Sequence, residues 1–198
     1  MNLSEFGKSL GLKVGISFFT IDDSIDFQDY FNFFDFFKIP AASNTDFDLI
    51  DFIIDKKKFT YISLGMTTDV QNMNLANKYK SIELVIPFHC ISNYPTKIYN
   101  SQFTYINNLR KMWGKNLGYS SHDDNLLLIS KVLDLNISHL ERHITLDKFS
   151  EGLDKSSSST PHEFQMFREY IEFKVQINNQ VTERFLNQGE IINSQNFS

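Results

Sequence analysis

The chain has 198 residues, enough for one sizeable core but small if divided in two, so a single domain over 1–198 is expected. A formal net charge of -5 and a pI near 5.5 exclude broad binding to phosphate backbones or anionic lipid, and so argue against nucleic-acid and membrane partners. The one cysteine, Cys90, excludes an internal disulfide framework, and neither a secretory leader nor a membrane-length apolar run is present, so a soluble, cytosolic protein is expected.

In chain order, Val14 to Phe19 is a short apolar run of strand length. Residues 23–38 place Asp26, Asp29, Asn32, Asp35 and Lys38 at a spacing of three, opposite Tyr30, Phe31, Phe34 and Phe37, which predicts an aromatic-faced helix stopped by Pro40. Residues 46–54, 59–66 and 79–88 have the length and β-branched content of strands. The first two are joined by Asp55-Lys56-Lys57-Lys58 and the last two by a polar loop, 67–78. The prediction is an antiparallel meander. Gly65, at the end of the second strand, marks a bend with close backbone approach.

Further on, Phe103, Ile106, Leu109, Trp113 and Leu117 share a helical face over 101–117. Residues 124–137 are apolar and fit a buried helix or a buried strand equally. Residues 147–162 contain a run of serines and read as a mobile surface loop. The alternation of Tyr170, Glu172, Lys174 and Gln176 with Ile171, Phe173, Val175 and Ile177 predicts a half-buried strand, and 193–198 a frayed tail. The fold class expected is mixed α/β (α+β), a largely antiparallel sheet with a central meander, packed by helices.

Chemistry-bearing residues are sparse. His139 and His143 lie four apart, a spacing that on a helix can chelate one metal ion with a third ligand from His122, Asp123 or Asp124, but such a pair arises readily by chance and no bound metal is expected. The glutamate that a metalloprotease needs after the first histidine is replaced by Leu140. His89 and Cys90 are adjacent on a strand and face opposite ways, so they form no nucleophile and base pair. Glycine-rich phosphate loops and nucleophile elbows are absent from the sequence.

At 46–88 the sequence resembles the Suppressor of Fused domain family, in which a strand ending in Thr-Ser-Gly-Met-Ser precedes a loop and a strand that begins Glu-Leu. TYISLGMTTD and SIELVIPF fill those places, with Gly65, Met66, Glu83 and Leu84 matching. The resemblance extends to the Trp113 helix and to the C-terminal KVQINNQVTERFLNQG, but Leu64 stands where the family has a small residue and Thr67 where it has serine, and the segment directly after the Trp113 helix has no counterpart. The resemblance implies a domain that binds proteins, is not an enzyme and needs no cofactor; bacterial members look like immunity proteins that neutralise a partner toxin. The expected function is therefore occlusion of a basic toxin domain, with Asp26, Asp29, Asp35 and Asp69 as partner-binding charges. The alternatives are a hydrolase or metal-dependent enzyme built on His122, His139 and His143, and a structural component of a phage or secretion apparatus.

Overall fold

The computed structural model describes residues 3–149 and 151–188, with side chains as far as 177. Strands and helices alternate along it: α1 (Leu3–Ser9), β1 (Gly15–Ser17), α2 (Ile21–Asp26), β2 (Phe36–Ile39), α3 (Phe47–Ile54), β3 (Phe59–Ser63), α4 (Asp69–Tyr79), β4 (Val85–Cys90), α5 (Tyr105–Trp113), β5 (Gly118–Ser121), α6 (Leu126–Leu133), β6 (His139–Ile144), β7 (Ser158–Ser159) and α7 (Pro161–Gln188). Neighbouring strands in the sheet follow sequence order from β1 to β7, and each pairing is parallel.

The expected antiparallel sheet and its meander are therefore incorrect. The 46–54 segment is helix, not strand: the Asp46 side chain accepts from Leu49 N–H at 3.0 Å, and Leu49, Ile50 and Ile53 are buried at helical spacing. The polar stretch at 67–78 is also a helix, opened by a reciprocal capping box between Thr68 and Gln71. One predicted strand and one predicted loop are thus crossover helices, and a strand–helix–strand path returns each strand parallel to the last. Residues 23–38 do not form one helix. They divide into α2, a 3-10 turn over Gln28–Phe33 and strand β2. The ambiguous 124–137 segment contains α6, and 170–177 lies in α7 rather than in a strand. Residues 193–198 lie outside the described residues.

Two faces of the sheet carry different work. Phe37, Ile39, Ile62, Val85 and Tyr119 point toward the helices and, with Leu49, Ile53, Leu75, Ile106, Leu109, Trp113 and Val132, form the buried core. The other face is concave. Lys38 on β2 donates to both carboxylate oxygens of Glu141 on β6, yet four strand steps in a flat sheet would separate these strands by roughly 19 Å. Rings of Phe36 and Tyr61 (centroids 5.0 Å apart), Tyr61 and Phe88 (5.3 Å) and Tyr61 and His139 (5.3 Å) fill the hollow below that pair. Glycine makes room for them: a Cβ on Gly118 would lie 2.5 Å from the Phe88 ring. The sheet is a curled, all-parallel half-barrel of the TIM-barrel type.

Candidate active site

Because every strand runs the same way, their C-terminal ends gather on one rim. Ser17 (β1), Lys38 (β2), Ser63 (β3), Cys90 (β4), Ser120 (β5) and Glu141 and His143 (β6) line a single cavity of about 270 Å³ there, closed by His122, Tyr94 and Asp154 from the following loops. In barrels of parallel strands this rim is where catalytic side chains collect, since the loops above it vary while the strands hold their roots still.

The polar groups of the cavity combine an ammonium, two carboxylates, hydroxyls and imidazoles. Lys38 is largely enclosed, with Glu141 as its carboxylate partner. Ser63 is buried, and its Oγ has no hydrogen-bond partner in the protein, a costly state unless something else supplies one. Burial pushes the Cys90 thiol up, so it sits in the wall as a neutral group; its Sγ is 4.0 Å from His122 Nδ1.

His122 is held as a neutral imidazole. Burial lowers its pKa, and Nδ1 lies 2.8 Å from the Ile91 carbonyl, which can only accept, so Nδ1 carries the proton and the Nε2 lone pair is left open. Its ring lies 4.0 Å from that of Tyr94 and 5.3 Å from that of His143, whose Nδ1 is 3.6 Å from Asp154 Oδ2. Behind them, Arg142 ties three strand ends together. It donates to the Ser121 Oγ (3.0 Å), the Asp123 carbonyl (2.9 Å) and the Ser159 Oγ (2.5 Å), while Asp123 Oδ2 accepts from Tyr119 and Ser121, each at 2.9 Å. The residue between Ser121 and Asp123 is His122, so this network fixes its backbone.

The three predicted metal-ligand candidates separate. His139 and His143 lie on strand β6, not on a helix, and four residues along a strand span about 13 Å. His139 belongs to the aromatic layer below, with its Nδ1 2.9 Å from Ser138 Oγ. Only His122 and His143 meet, and among the described residues no group of three or more His, Cys, Asp or Glu side chains is placed to hold a metal ion.

None of the four predicted partner-binding aspartates lines the cavity. Asp26 ends α2 and Asp29 lies in the 3-10 turn, both exposed. Asp35 accepts from Val14 N–H at 2.8 Å and pairs with Lys8, which holds its carboxyl below the ordinary range. Asp69 opens α4 and accepts from the Tyr105 hydroxyl. Of the residues matched in the sequence, Gly65 and Met66 form the turn after β3, and a Cβ on Gly65 would lie 2.6 Å from Ser92 Oγ and 3.2 Å from the Cys90 carbonyl. Met66 is exposed, with a left-handed φ of 60°. Glu83 and Leu84 form the turn before β4, where the Leu84 carbonyl accepts from Thr60 N–H. Lys38, the serines at 17, 63 and 120, Tyr94, Glu141 and Arg142 were given no functional role in the sequence reading. A serine recurring at strand ends within a β/α alternation was the available signal.

Comparison with known proteins places these features. A family model described as the NeuB family matches residues 1–182. The N,N'-diacetyllegionaminic acid synthase of Legionella pneumophila is 28% identical over 175 residues, covering 82% of this chain and 47% of that protein. The N-acetylneuraminate-9-phosphate synthase of Homo sapiens is 30% identical over 134 residues, covering 65% of this chain and 36% of that protein. Among solved structures, the sialic acid synthetase of Leptospira borgpetersenii, in complex with citrate, superposes with a TM-score of 0.81 at 18% identity, over 97% of this chain and 64% of its own. A DAHP synthase from Thermotoga maritima superposes with a TM-score of 0.67 at 17% identity, over 90% of this chain and 54% of its own. The chain thus spans half or less of the length of these two sequence relatives. The family match overturns the Suppressor of Fused resemblance, and with it the immunity role, the toxin partner and the expectation of a protein that is not an enzyme. The named relatives are synthases, and the family points to an enzyme acting on small molecules. No helix among the described residues is long and apolar enough to cross a membrane.

Proposed function

Because the chain belongs to the NeuB family, we propose that it carries part of the active site of a biosynthetic enzyme of the sialic acid synthase type, and that the strand-end cavity binds an anionic, oxygen-rich substrate. The observation that supports this reading is the pairing, in one cavity, of the Lys38 ammonium with a buried Ser63 hydroxyl that has no partner in the protein. A carboxylate or phosphate would accept from both and from Ser17 and Ser120, sharing Lys38 with Glu141. His122, neutral and with Nε2 open, is the group able to take a proton from a bound substrate near neutral pH.

Thermal unfolding with citrate and with inorganic phosphate tests the proposal. An anion at one hundred times its dissociation constant stabilises by about 2.7 kcal/mol, which in a chain of this size raises Tm by roughly 5–10 °C. Lys38→Gln and Ser63→Ala should each lose most of that rise. Equal rises in the wild type and both variants would place the anion elsewhere and defeat the reading.

A further inference from the structure

Strand β3 runs past the last partner that β2 offers it. The register between them goes from Phe36 beside Phe59 to Ile39 beside Ile62, and the next residue of the chain, Pro40, has no N–H to donate. On the other side of β3, the Leu64 N–H donates to the Phe88 carbonyl of β4 at 2.8 Å. Backbone groups of successive strand residues turn to opposite sides, so the carbonyls of Ser63 and Gly65, which flank Leu64, turn away from β4. Both are taken there by one side chain. Asn44, which follows the 3-10 turn Ala41–Ser43 after β2, donates from Nδ2 to the Ser63 carbonyl at 2.8 Å and to the Gly65 carbonyl at 2.9 Å.

This is an interior contact. Asn44 is 2% exposed, and because carbonyls only accept, its carboxamide must present the nitrogen to β3. The two bonds bracket Leu64 and hold three consecutive residues, of which the first is Ser63. Its Cα–Cβ direction follows from the backbone, so the bracket sets where Ser63 Oγ stands in the strand-end cavity, a group without a hydrogen-bond partner among the described residues. Asn44 is not among the residues that line that cavity. There is little slack around the bracket: a Cβ on Gly65 would lie 3.1 Å from the Ala41 Cβ and 3.2 Å from the Cys90 carbonyl, so the 41–44 turn and the ends of β3 and β4 leave no room for a methyl group.

We propose that Asn44 is a positioning residue, which acts on the bound anion only through Ser63 by supplying the donors that β2 lacks beyond Ile39. The inference rests on the anion-binding reading of the cavity. Removing the carboxamide leaves two buried carbonyls without their donor. The strand end then shifts to satisfy them, and the Ser63 hydroxyl leaves its place beside the anion while Lys38 keeps its own.

The test uses inorganic phosphate as the probe, with its dissociation constant measured by titration calorimetry well below the unfolding temperature. Ser63→Ala and Asn44→Ala should each weaken phosphate about tenfold, the loss expected for one hydrogen bond to a charged group. The double variant should bind no more weakly than either single one, because Asn44 has no hydroxyl left to place. Thr60→Val controls for lost stability: Thr60 is buried at the far end of the same strand, so this variant should lower Tm and leave phosphate binding unchanged. Should Asn44→Ala not fold, Asn44→Ser, which keeps one donor, replaces it, with a smaller loss in the same direction. Phosphate binding unchanged in the Asn44 variant, or losses that add in the double variant, would overturn the proposal. A wild type that takes up no phosphate defeats the anion reading by itself, and amide exchange then decides on Asn44. Its loss should speed exchange of the Leu64 N–H at least about tenfold relative to the Thr60 N–H, which donates to the Leu84 carbonyl at the other end of β3. Equal acceleration of the two amides would mean that the side chain serves overall stability alone, and would overturn the positioning role.

Discussion

Lys38 on β2 and Glu141 on β6 are 103 residues apart in sequence and share an ion pair across the hollow of the sheet. Both are partly enclosed, Lys38 more than Glu141, so removing one partner strands a charge in poor solvent. Lys38→Met and Glu141→Gln should each lower stability by about 1–3 kcal/mol, less than for a fully buried pair. In a double-mutant cycle by urea unfolding, a coupling of about 0.5–3 kcal/mol is expected. Strict additivity would show that the curl of the sheet does not depend on this contact.

Gly65 gives a prediction about the rim itself. A Val side chain there would meet the Cys90 carbonyl, which is backbone and cannot rotate away. Gly65→Val should cost about 1–3 kcal/mol by overpacking, whereas Met66→Leu, at an exposed position, should be near neutral. Chemical denaturation of both variants decides it, and unchanged stability in Gly65→Val would mean that β3 and β4 do not end as closely as they do here.

His89 sets a pH dependence. It is buried on the helix side of β4, with Nε2 3.1 Å from the Ser101 carbonyl, and burial lowers its pKa below the ordinary value. The folded state therefore holds a neutral imidazole where the unfolded chain takes up a proton. Stability is complete above the unfolded pKa of about 6.5 and falls as pH drops from there toward the depressed folded value, by at most about 1.4 kcal/mol per pH unit. His122 and His139 are lowered by burial too and act in the same direction. The diagnostic quantity is the difference between wild type and His89→Gln, whose stability should decline less steeply between pH 6.5 and 5. Parallel curves would argue that His89 protonates without cost.

The neighbouring imidazoles of His122 and His143 predict where a divalent ion would go. Titration with Mn²⁺ followed by NMR should broaden the ring signals of His122 and His143 well before those of His139, which points into the aromatic layer. Broadening that begins at His139 would place the ion in the aromatic layer and away from the rim.

Some of this was legible in the sequence and some was not, for identifiable reasons. The amphipathic pattern of Ile106, Leu109 and Trp113 predicted a helix at 101–117 and α5 lies within it, while Gly65 was singled out at a place where the backbone of β4 comes close. At 47–54, Phe52, Ile53 and Ile54 favoured strand by intrinsic preference, and the helical period together with the Asp46 cap prevailed. Lys38 was read as the wet end of a helix because Asp26, Asp29 and Asp35 share its spacing of three. Its actual place, facing into a concave sheet, depends on Glu141 and so on a contact no local pattern carries. Ser63 and Ser120 are ordinary residues until the curl sets them on one rim.

Strand order that equals chain order bears on how the molecule is made. A chain leaving the ribosome can lay β2 against β1, β3 against β2 and so on, each newcomer finding its template already built and none having to be inserted between two others. A synthesis pause after β3 would present a three-stranded ribbon with β3 at the edge to which β4 adds. Growth of this kind has a direction: the newest strand is always the edge to which the next one adds.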